Sequence, residues 1–116
     1  MEGAGRAGRS VSEAGVDGFD IDAIDEVIHG RVRLGVMAFL STAEQADFNE
    51  IKRRLATTDG NLSVHLRKLE DAGYVGVDKS FVGRKPLTRI RITPEGRTAF
   101  VSYLDAMSRL VSEAGR

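Results

Sequence analysis

The chain has no cysteine and only two histidines among its 116 residues. Without cysteine it can form neither a disulfide nor a thiolate metal site. His29 and His65 lie far apart in the sequence, and neither has a second histidine three to five residues away. Paired histidines at that spacing are typical of metal sites in helices. The sequence therefore predicts a protein with no metal and no cofactor.

Long apolar runs are also missing. The longest run within a helical pattern extends from Leu34 to Leu40, which is far shorter than the roughly 20 residues that span a bilayer. The N-terminal residues contain no apolar stretch of the kind found in secretory signals. These features predict a cytoplasmic protein without membrane contact. The length fits a single domain.

The net charge is zero, but charge is unevenly distributed along the chain. Residues 1–50 contain four Arg and ten Asp or Glu, a net charge of −6. Residues 51–97 contain eleven Lys or Arg and five Asp or Glu, a net charge of +6. A basic middle segment in a neutral protein is typical of a polyanion-binding face, although a solvated basic surface has the same composition.

The motifs of common enzyme classes are absent from the sequence. The glycines between Gly3 and Gly8 follow no predicted strand, so they do not form a phosphate-binding loop. No serine has a histidine and a carboxylate that the helical pattern would bring beside it. We therefore predict that the protein is not an enzyme.

The first half of the chain predicts a tail followed by a long helix. Residues 1–19 are rich in Gly, Ala, Ser and Arg and predict a disordered tail, which leaves residues 20–113 as the folded domain. The first helix should begin near Asp20 or Asp22, where acidic residues favour the helix N-terminus. Its apolar residues recur at three- and four-residue spacing until its second half is apolar on nearly all sides, as in a helix buried on two sides. They include Ile24, Ile28, Val32, Val36 and Phe39.

Two short helices should follow, separated by a tight turn. Asp47 can cap the first of them, with Glu50 reaching back as in a capping box. Thr58 can cap the second, and Gly73 has the position of a C′ residue. The core face of this second short helix is marked by Leu62, Leu66 and Leu69. Two short helices joined in this way suit a helix-turn-helix.

The remaining residues predict a hairpin and a final helix. Residues 74–81 and 87–92 alternate as strands do, and the Gly- and Pro-containing residues 82–86 predict a turn. Thr93 and Pro94 have the form of a helix start. The fold class is thus mainly α with a small β-hairpin (α+β), in the order α-α-α-β-β-α. This is a winged helix-turn-helix in which the hairpin is the wing.

Three stretches resemble the winged-helix regulators of the MarR/ArsR-like superfamily, and most closely its small single-domain winged-helix DNA-binding group. They are Ile28–Leu34, Thr58–Val75 and Gly83–Arg97. The resemblance covers residues 28–107 and implies a transcriptional regulator that binds double-stranded DNA as a homodimer. Metal-sensing members need cysteine or clustered histidine and carboxylate ligands, so metal sensing is not carried over. Members of the superfamily often bind a small-molecule effector as well.

A helical wheel of residues 58–72 selects candidate DNA-binding residues on the side opposite the three leucines. Asn61 suits adenine, and Val64 suits a thymine methyl group. His65 lies at the boundary of the core face, where it either packs and bonds to backbone or, as in the family, contacts phosphate. Arg84 and Lys85 occupy the hairpin tip and suit a minor groove. The full set is Thr58, Gly60, Asn61, Ser63, Val64, His65, Arg67, Lys68, Arg84 and Lys85.

The first and last helices contain more apolar surface than a small core needs, which predicts a two-fold dimer. The predicted dimer residues are Ile24, Ile28, Phe100, Leu104, Met107 and Val111. An intramolecular core built from the same residues is the alternative.

Two functions remain open at this point. We expect a sequence-specific DNA-binding regulator, in particular a repressor, that reads the major groove with residues 58–72 and the flanking groove with residues 82–87. The alternative is a winged-helix module that binds another protein without specific DNA binding. Operator, regulated genes and effector are not encoded in any recognisable pattern.

Overall fold

The computed structural model describes residues 19–115. The chain divides into two compact units. The larger unit comprises residues 26–101, and the described part of the smaller comprises residues 19–25 and 102–115. The predicted tail, residues 1–19, lies outside the described residues except for Phe19. Within the described residues, no helix is both long and apolar enough to cross a membrane.

The secondary structure follows the predicted order with one additional strand. The helices are α1 (Arg31–Ala43), α2 (Phe48–Leu55), α3 (Asp59–Asp71) and α4 (Pro94–Ala114). The strands are β1 (Gln45–Asp47), β2 (Val75–Val82) and β3 (Lys85–Ile92). This confirms the mainly α, winged-helix fold class.

The core of the larger unit is assembled from one face of each element. Leu62, Leu66 and Leu69 are buried at the spacing that the sequence predicts for the inner face of α3. Fully buried side chains also come from α1, α2 and β3: Val36, Met37, Leu40, Ile51 and Ile90. Burying an aliphatic side chain of this size contributes about 1.5–3 kcal/mol, so this small core depends on each of them.

The predicted long first helix is wrong at its N-terminal end. A three-residue 3₁₀ turn covers Ile21–Ala23, and α1 begins only at Arg31. Ile24 and Ile28 therefore precede the α-helix, although both are buried. An irregular segment that packs against a core can also bury one residue in every four. The spacing of Ile24 and Ile28 therefore resembled that of a helix.

The sheet is larger than the predicted hairpin. β1 pairs antiparallel with β3 through Ala46 and Ile90, which gives the strand order β1-β3-β2. β2 and β3 reach to Val82 and Lys85, so the turn has two residues instead of five. Gly83 has φ +64° and Arg84 has a negative φ, as in a type II′ turn, which favours glycine at its first central position.

The predicted starts of α2, α3 and α4 are confirmed. The Asp47 carboxylate accepts a hydrogen bond from the Glu50 backbone N–H at 2.8 Å. The hydroxyl of Thr58 accepts one from the Asn61 N–H at 3.1 Å, and that of Thr93 accepts one from the Gly96 N–H at 2.9 Å. Gly73 follows α3 with φ +82°, the left-handed conformation expected at C′. Local side-chain chemistry thus sets where α2, α3 and α4 begin.

The smaller unit combines the 3₁₀ turn with the C-terminal part of α4. Asp20 caps the turn by accepting from the Asp22 N–H at 3.2 Å. Tyr103 is buried, and this burial raises the pKa of its phenol, with a further contribution from the Asp25 carboxylate. Several large apolar side chains of this unit are exposed: Phe19, Ile21, Leu104 and Val111.

Candidate nucleic-acid interface

The outward side of α3 is free of protein contacts that would bury it. Every residue predicted on that side is exposed, and His65 is half-buried at the boundary. Val64 keeps 55% of its surface exposed, so this side of the helix includes an apolar side chain open to solvent. The exposed members of the predicted set on α3 and its cap are Thr58, Gly60, Asn61, Ser63, Val64, Arg67 and Lys68.

Asn61 is held in place at the start of α3. Its side-chain amide donates to the Thr57 hydroxyl at 2.8 Å. A primary amide has two N–H donors and a carbonyl acceptor, so one donor and the carbonyl remain. Those are the two groups that pair with the N7 and N6 positions of adenine. The Thr57 contact therefore orients Asn61 without using up the groups that base recognition needs.

His65 is linked to α1 through Arg33. The Arg33 Nη1 lies 2.8 Å from the His65 Nδ1, so this ring nitrogen bonds to a side chain and not to backbone, in contrast to the packed alternative considered for this residue. Partial burial lowers the pKa of His65, and the positive charges of Arg33 and Lys68 lower it further. The segment before α1 contributes Glu26 and His29, whose backbone carbonyls accept from Arg33 at 3.5 Å each.

Acidification should therefore destabilise the fold through His65. Because the folded-state pKa of His65 lies below its unfolded value, the unfolded chain takes up the proton first as pH falls. The free energy of unfolding should be insensitive to this group above about pH 7.5 and should decrease as pH falls through about 6.5. Denaturant titrations between pH 8 and pH 5 should show a shallower decrease for His65→Gln than for the unsubstituted chain. His29→Gln is the matched control, and parallel curves for all three proteins would contradict this assignment.

The wing presents Arg84 and Lys85 at its tip. Both are exposed. Arg84 is the second residue of the turn, and Lys85 is the first residue of β3, paired with Val82. Two apolar residues beside them are also exposed, Phe81 at 72% and Val82 at 65%. Phe81 pairs with Pro86 across the hairpin. The tip thus combines two cations with an apolar surface, and the pattern of charge along the sequence predicted only the cations.

An open groove of about 660 Å³ separates α3 from the wing. Ser63 and Arg67 line it from α3, whereas Lys79 and Thr88 line it from β2 and β3. Lys79 and Thr88 were not among the residues predicted from the sequence. Side chains alternate between the two faces of a strand, and Lys79 lies on the same face of β2 as the buried Val75. This alternation in the sequence is the signal that would have identified Lys79 and Thr88.

The groove is not uniformly cationic. Asp59 and Glu70 line it together with Arg67 and Lys79. Asp59 forms an ion pair with Lys52 of α2 at 2.7 Å. Beyond the groove, Lys68 on α3 and the two cations of the wing tip are exposed. The surface between α3 and the wing is therefore continuous in shape but mixed in charge.

Two basic residues outside this surface, Arg54 and Arg91, have partners in the fold. The Arg54 guanidinium lies 5.2 Å from the centroid of the Phe39 ring, a cation–π distance. Arg91 pairs with Asp78 at 3.3 Å, on the face of the sheet opposite Lys79 and Thr88. Both contacts lie within the larger unit.

The predicted dimer residues divide into two groups. Ile24, Ile28 and Phe100 are buried within the chain, at 9%, 0% and 7% exposure, so they retain almost no surface for a partner and their assignment to a dimer interface is corrected. Met107 is partly exposed, and Leu104 and Val111 are 49% and 62% exposed. Ile24 and Ile28 lie in the irregular segment of residues 24–30, whose backbone turns both side chains away from solvent.

The chain matches relatives over most of its length. Residues 32–111 match the family model described as the winged helix DNA-binding domain. An uncharacterized protein of Methanocaldococcus jannaschii is 40% identical over 79 residues, which is 68% of this chain and 86% of that protein.

Solved structures show the same fold. A transcriptional regulator homologue from Pyrococcus horikoshii OT3 superposes with a TM-score of 0.72 at 33% identity, over 76% of this chain and 87% of that one. A MarR-family transcriptional regulator from Silicibacter pomeroyi gives 0.56 at 17% identity, over 76% and 56% of the two chains. NadR in complex with 4-hydroxyphenylacetate gives 0.59 at 16% identity, over 82% and 64%. With a MarR-like fold and a family match that covers more than half of its residues, the chain belongs to the winged helix DNA-binding domain family.

Proposed function

We propose that this chain is a sequence-specific, double-stranded DNA-binding transcriptional regulator that acts as a repressor. The observation that carries the proposal is geometric. The outward side of α3 is exposed, and it borders the same groove as the wing strands. In helix-turn-helix proteins the N-terminal part of the recognition helix reaches base edges in the major groove. The groove between α3 and the wing then takes up the phosphate strand that separates the major from the minor groove.

Each part of the surface has its own task in this proposal. Asn61 and Val64 contact base edges in the major groove, and the absence of a side chain at Gly60 lets the backbone approach the duplex. Arg67 and Lys68 neutralise phosphates, as does Lys79 from the other wall of the groove, where the Thr88 hydroxyl donates a hydrogen bond to a phosphate oxygen. Arg84 and Lys85 enter the neighbouring minor groove, whose negative potential attracts such side chains.

Salt dependence tests whether the wing neutralises phosphate. The logarithm of the binding constant should fall linearly with the logarithm of salt concentration, by a slope of about 0.9 for each phosphate neutralised. Arg84→Ala should weaken binding to a mixed-sequence 30-base-pair duplex and reduce this slope by about one for each bound wing. Fluorescence anisotropy between 50 and 300 mM salt measures both quantities.

The matched control is Arg109→Ala, because Arg109 is an exposed arginine on α4 paired with Asp105 at 2.8 Å. This substitution should leave the slope unchanged. A chain whose DNA binding has no salt slope, or whose slope is unaffected by Arg84→Ala, would contradict the proposed role of the wing.

We further propose that the regulator is a homodimer formed through the smaller unit. Both of its segments contain large exposed apolar side chains, Phe19 and Ile21 in one and Leu104 and Val111 in the other. A two-fold dimer would present its two α3 helices about 34 Å apart, one turn of DNA, and would bind a palindromic site.

Replacing an apolar contact with a charge should dissociate this dimer. Leu104→Glu should convert the protein to a monomer in sedimentation equilibrium, because a carboxylate buried in an apolar interface loses its hydration without a partner. Ser102→Glu adds the same charge at an exposed position of α4 and should leave the association state unchanged. A monomeric unsubstituted chain, or a Leu104→Glu variant that stays dimeric, would refute the interface.

A protein-binding module is the alternative function. It would leave α3 exposed as well, but would show no enrichment of DNA and a stoichiometric protein partner. A small-molecule effector, which the resemblance implies for many superfamily members, stays a prediction, as do the repressor role and a location in the cytoplasm.

A further inference from the structure

The Arg33 side chain joins three parts of the larger unit. Its Nε donates to the backbone carbonyl of Val27, and its Nη2 lies 3.5 Å from the carbonyl oxygens of Glu26 and His29. Its Nη1 lies 2.8 Å from the His65 Nδ1. Arg33 lies on α1 and His65 on α3, so one half-buried guanidinium links the segment before α1 to the proposed recognition helix.

The chemistry of this contact fixes the state of the imidazole. A guanidinium has only donors and keeps its proton at any physiological pH. The His65 Nδ1 must therefore be the acceptor, which makes the ring neutral and places its single proton on Nε2. The lowered pKa of His65 agrees with a ring that stays neutral at pH 7. Nε2–H is then the one hydrogen-bond donor that the ring offers to another molecule.

The position of His65 on α3 indicates what that molecule is. His65 follows Asn61 by four residues and precedes Lys68 by three, so the three side chains share one flank of the helix. Asn61 and Lys68 are exposed, and His65 is half-exposed. A neutral N–H donor beside a lysine suits a phosphate oxygen, since hydrogen bonds to a charged acceptor are the stronger ones.

We propose that Arg33 is a positioning residue for DNA binding. It holds His65 as the neutral Nε2–H tautomer, and this N–H donates to a backbone phosphate on the flank of α3 that bears Asn61 and Lys68. Arg33 touches no DNA itself. The inference rests on the proposed DNA-binding function. It adds a residue that lies behind the DNA-contacting surface and orients one side chain of that surface.

Nitrogen NMR of the free protein tests the tautomer without any DNA. The His65 ring should show an unprotonated Nδ1 and a protonated Nε2 at pH 7. In Arg33→Met, which removes every donor of this side chain, the ring should become a mixture of tautomers, and its pKa should move up towards that of an ordinary histidine. A protonated Nδ1 or a doubly protonated ring in the unsubstituted protein would overturn the inference.

Two substitutions of His65 separate the donor from the structural contact while leaving Arg33 intact. The amide of His65→Gln reaches the position of Nε2 and restores a donor there, whereas that of His65→Asn reaches only the position of Nδ1 and keeps an acceptor for Arg33. We expect His65→Asn to weaken binding to a mixed-sequence 30-base-pair duplex about tenfold, the effect of losing a hydrogen bond to a charged group. We expect His65→Gln to bind within about threefold of the unsubstituted chain, since its donor remains.

The outcomes distinguish this inference from the function on which it rests. If the unsubstituted chain binds DNA in a salt-dependent manner but His65→Asn binds as well as His65→Gln, or better, then His65 only supports the fold and the inference fails alone. If the unsubstituted chain binds no duplex, both the inference and the proposed function fail. Thermal unfolding of each variant identifies any loss of binding that follows from loss of structure.

Discussion

Gly96→Ala is expected to lower the free energy of unfolding by about 1–3 kcal/mol, the usual effect of overpacking a filled site. A Cβ at this position would collide with the backbone carbonyl of Tyr74 and would lie 2.8 Å from its carbonyl carbon. The obstacle is main chain, which cannot move aside as a flexible side chain can. Thr93 fixes the same junction, because its N–H donates to the Tyr74 carbonyl at 3.1 Å and its hydroxyl to the Gly73 carbonyl at 2.6 Å. Chemical denaturation with a linear extrapolation measures the difference.

Gly60→Ala is the matched control, since Gly60 also lies in the first turn of a helix but a Cβ added there would meet no atom within 4 Å. This substitution should leave stability unchanged or raise it by up to about 1 kcal/mol, because alanine favours the helix. Equal destabilisation by both alanines, or none by either, would show that the contact with Tyr74 does not determine the result.

Asn61→Ala is expected to abolish the preference for one base pair in each half-site, at about 1–3 kcal/mol of discrimination. Its amide is oriented by the Thr57 hydroxyl at 2.8 Å and keeps one N–H and its carbonyl for a base. Removing a base contact reduces binding to the preferred site far more than binding to other sequences. Competition titrations with the preferred duplex and with duplexes altered at single positions measure the discrimination.

Thr57→Val should produce a partial form of the same effect, because it removes the orienting hydroxyl and leaves Asn61 in place. Arg67→Ala provides the contrast, since a phosphate contact should weaken binding to all sequences to a similar extent. A uniform loss of affinity in Asn61→Ala would mean that Asn61 contacts the DNA backbone and reads no base.

Short-range chemistry explains why much of the fold was predictable. The caps at Asp47, Thr58 and Thr93 act within three residues of themselves, and the three leucines of α3 repeat at helical spacing. Patterns of this kind are complete within one segment of the sequence. The exposed side of α3, and hence most of the candidate site, followed from the same periodicity.

The failures concern features that depend on residues far apart in the chain. β1 has three residues and exists because it pairs with β3, more than 40 residues later. The contact between Arg33 and His65 joins residues 32 positions apart, and no pattern within a short stretch of sequence indicates it. Residues 24–28 show the opposite error, in which a helical spacing of isoleucines arose in an irregular segment. Tertiary packing had overridden the local pattern there.

The distribution of charge was predicted only in part. The basic middle segment does contain the wing tip and the outward side of α3. However, Lys52 and Arg91 form ion pairs with Asp59 and Asp78, and Arg54 packs on an aromatic ring. The net charge of a segment includes these residues as if all of them could bind DNA. Only the fold shows that they also contact other side chains of the chain.

Selection from a random pool of duplex DNA, followed by sequencing, tests the central claim most directly. A two-fold pair of α3 helices with flanking wings should enrich a palindromic motif whose half-sites are centred about 10 base pairs apart. Under the same conditions Leu104→Glu should lose the palindrome, because a monomer reads one half-site. A pool that shows no enriched motif after repeated rounds, while the protein remains folded, would contradict the account.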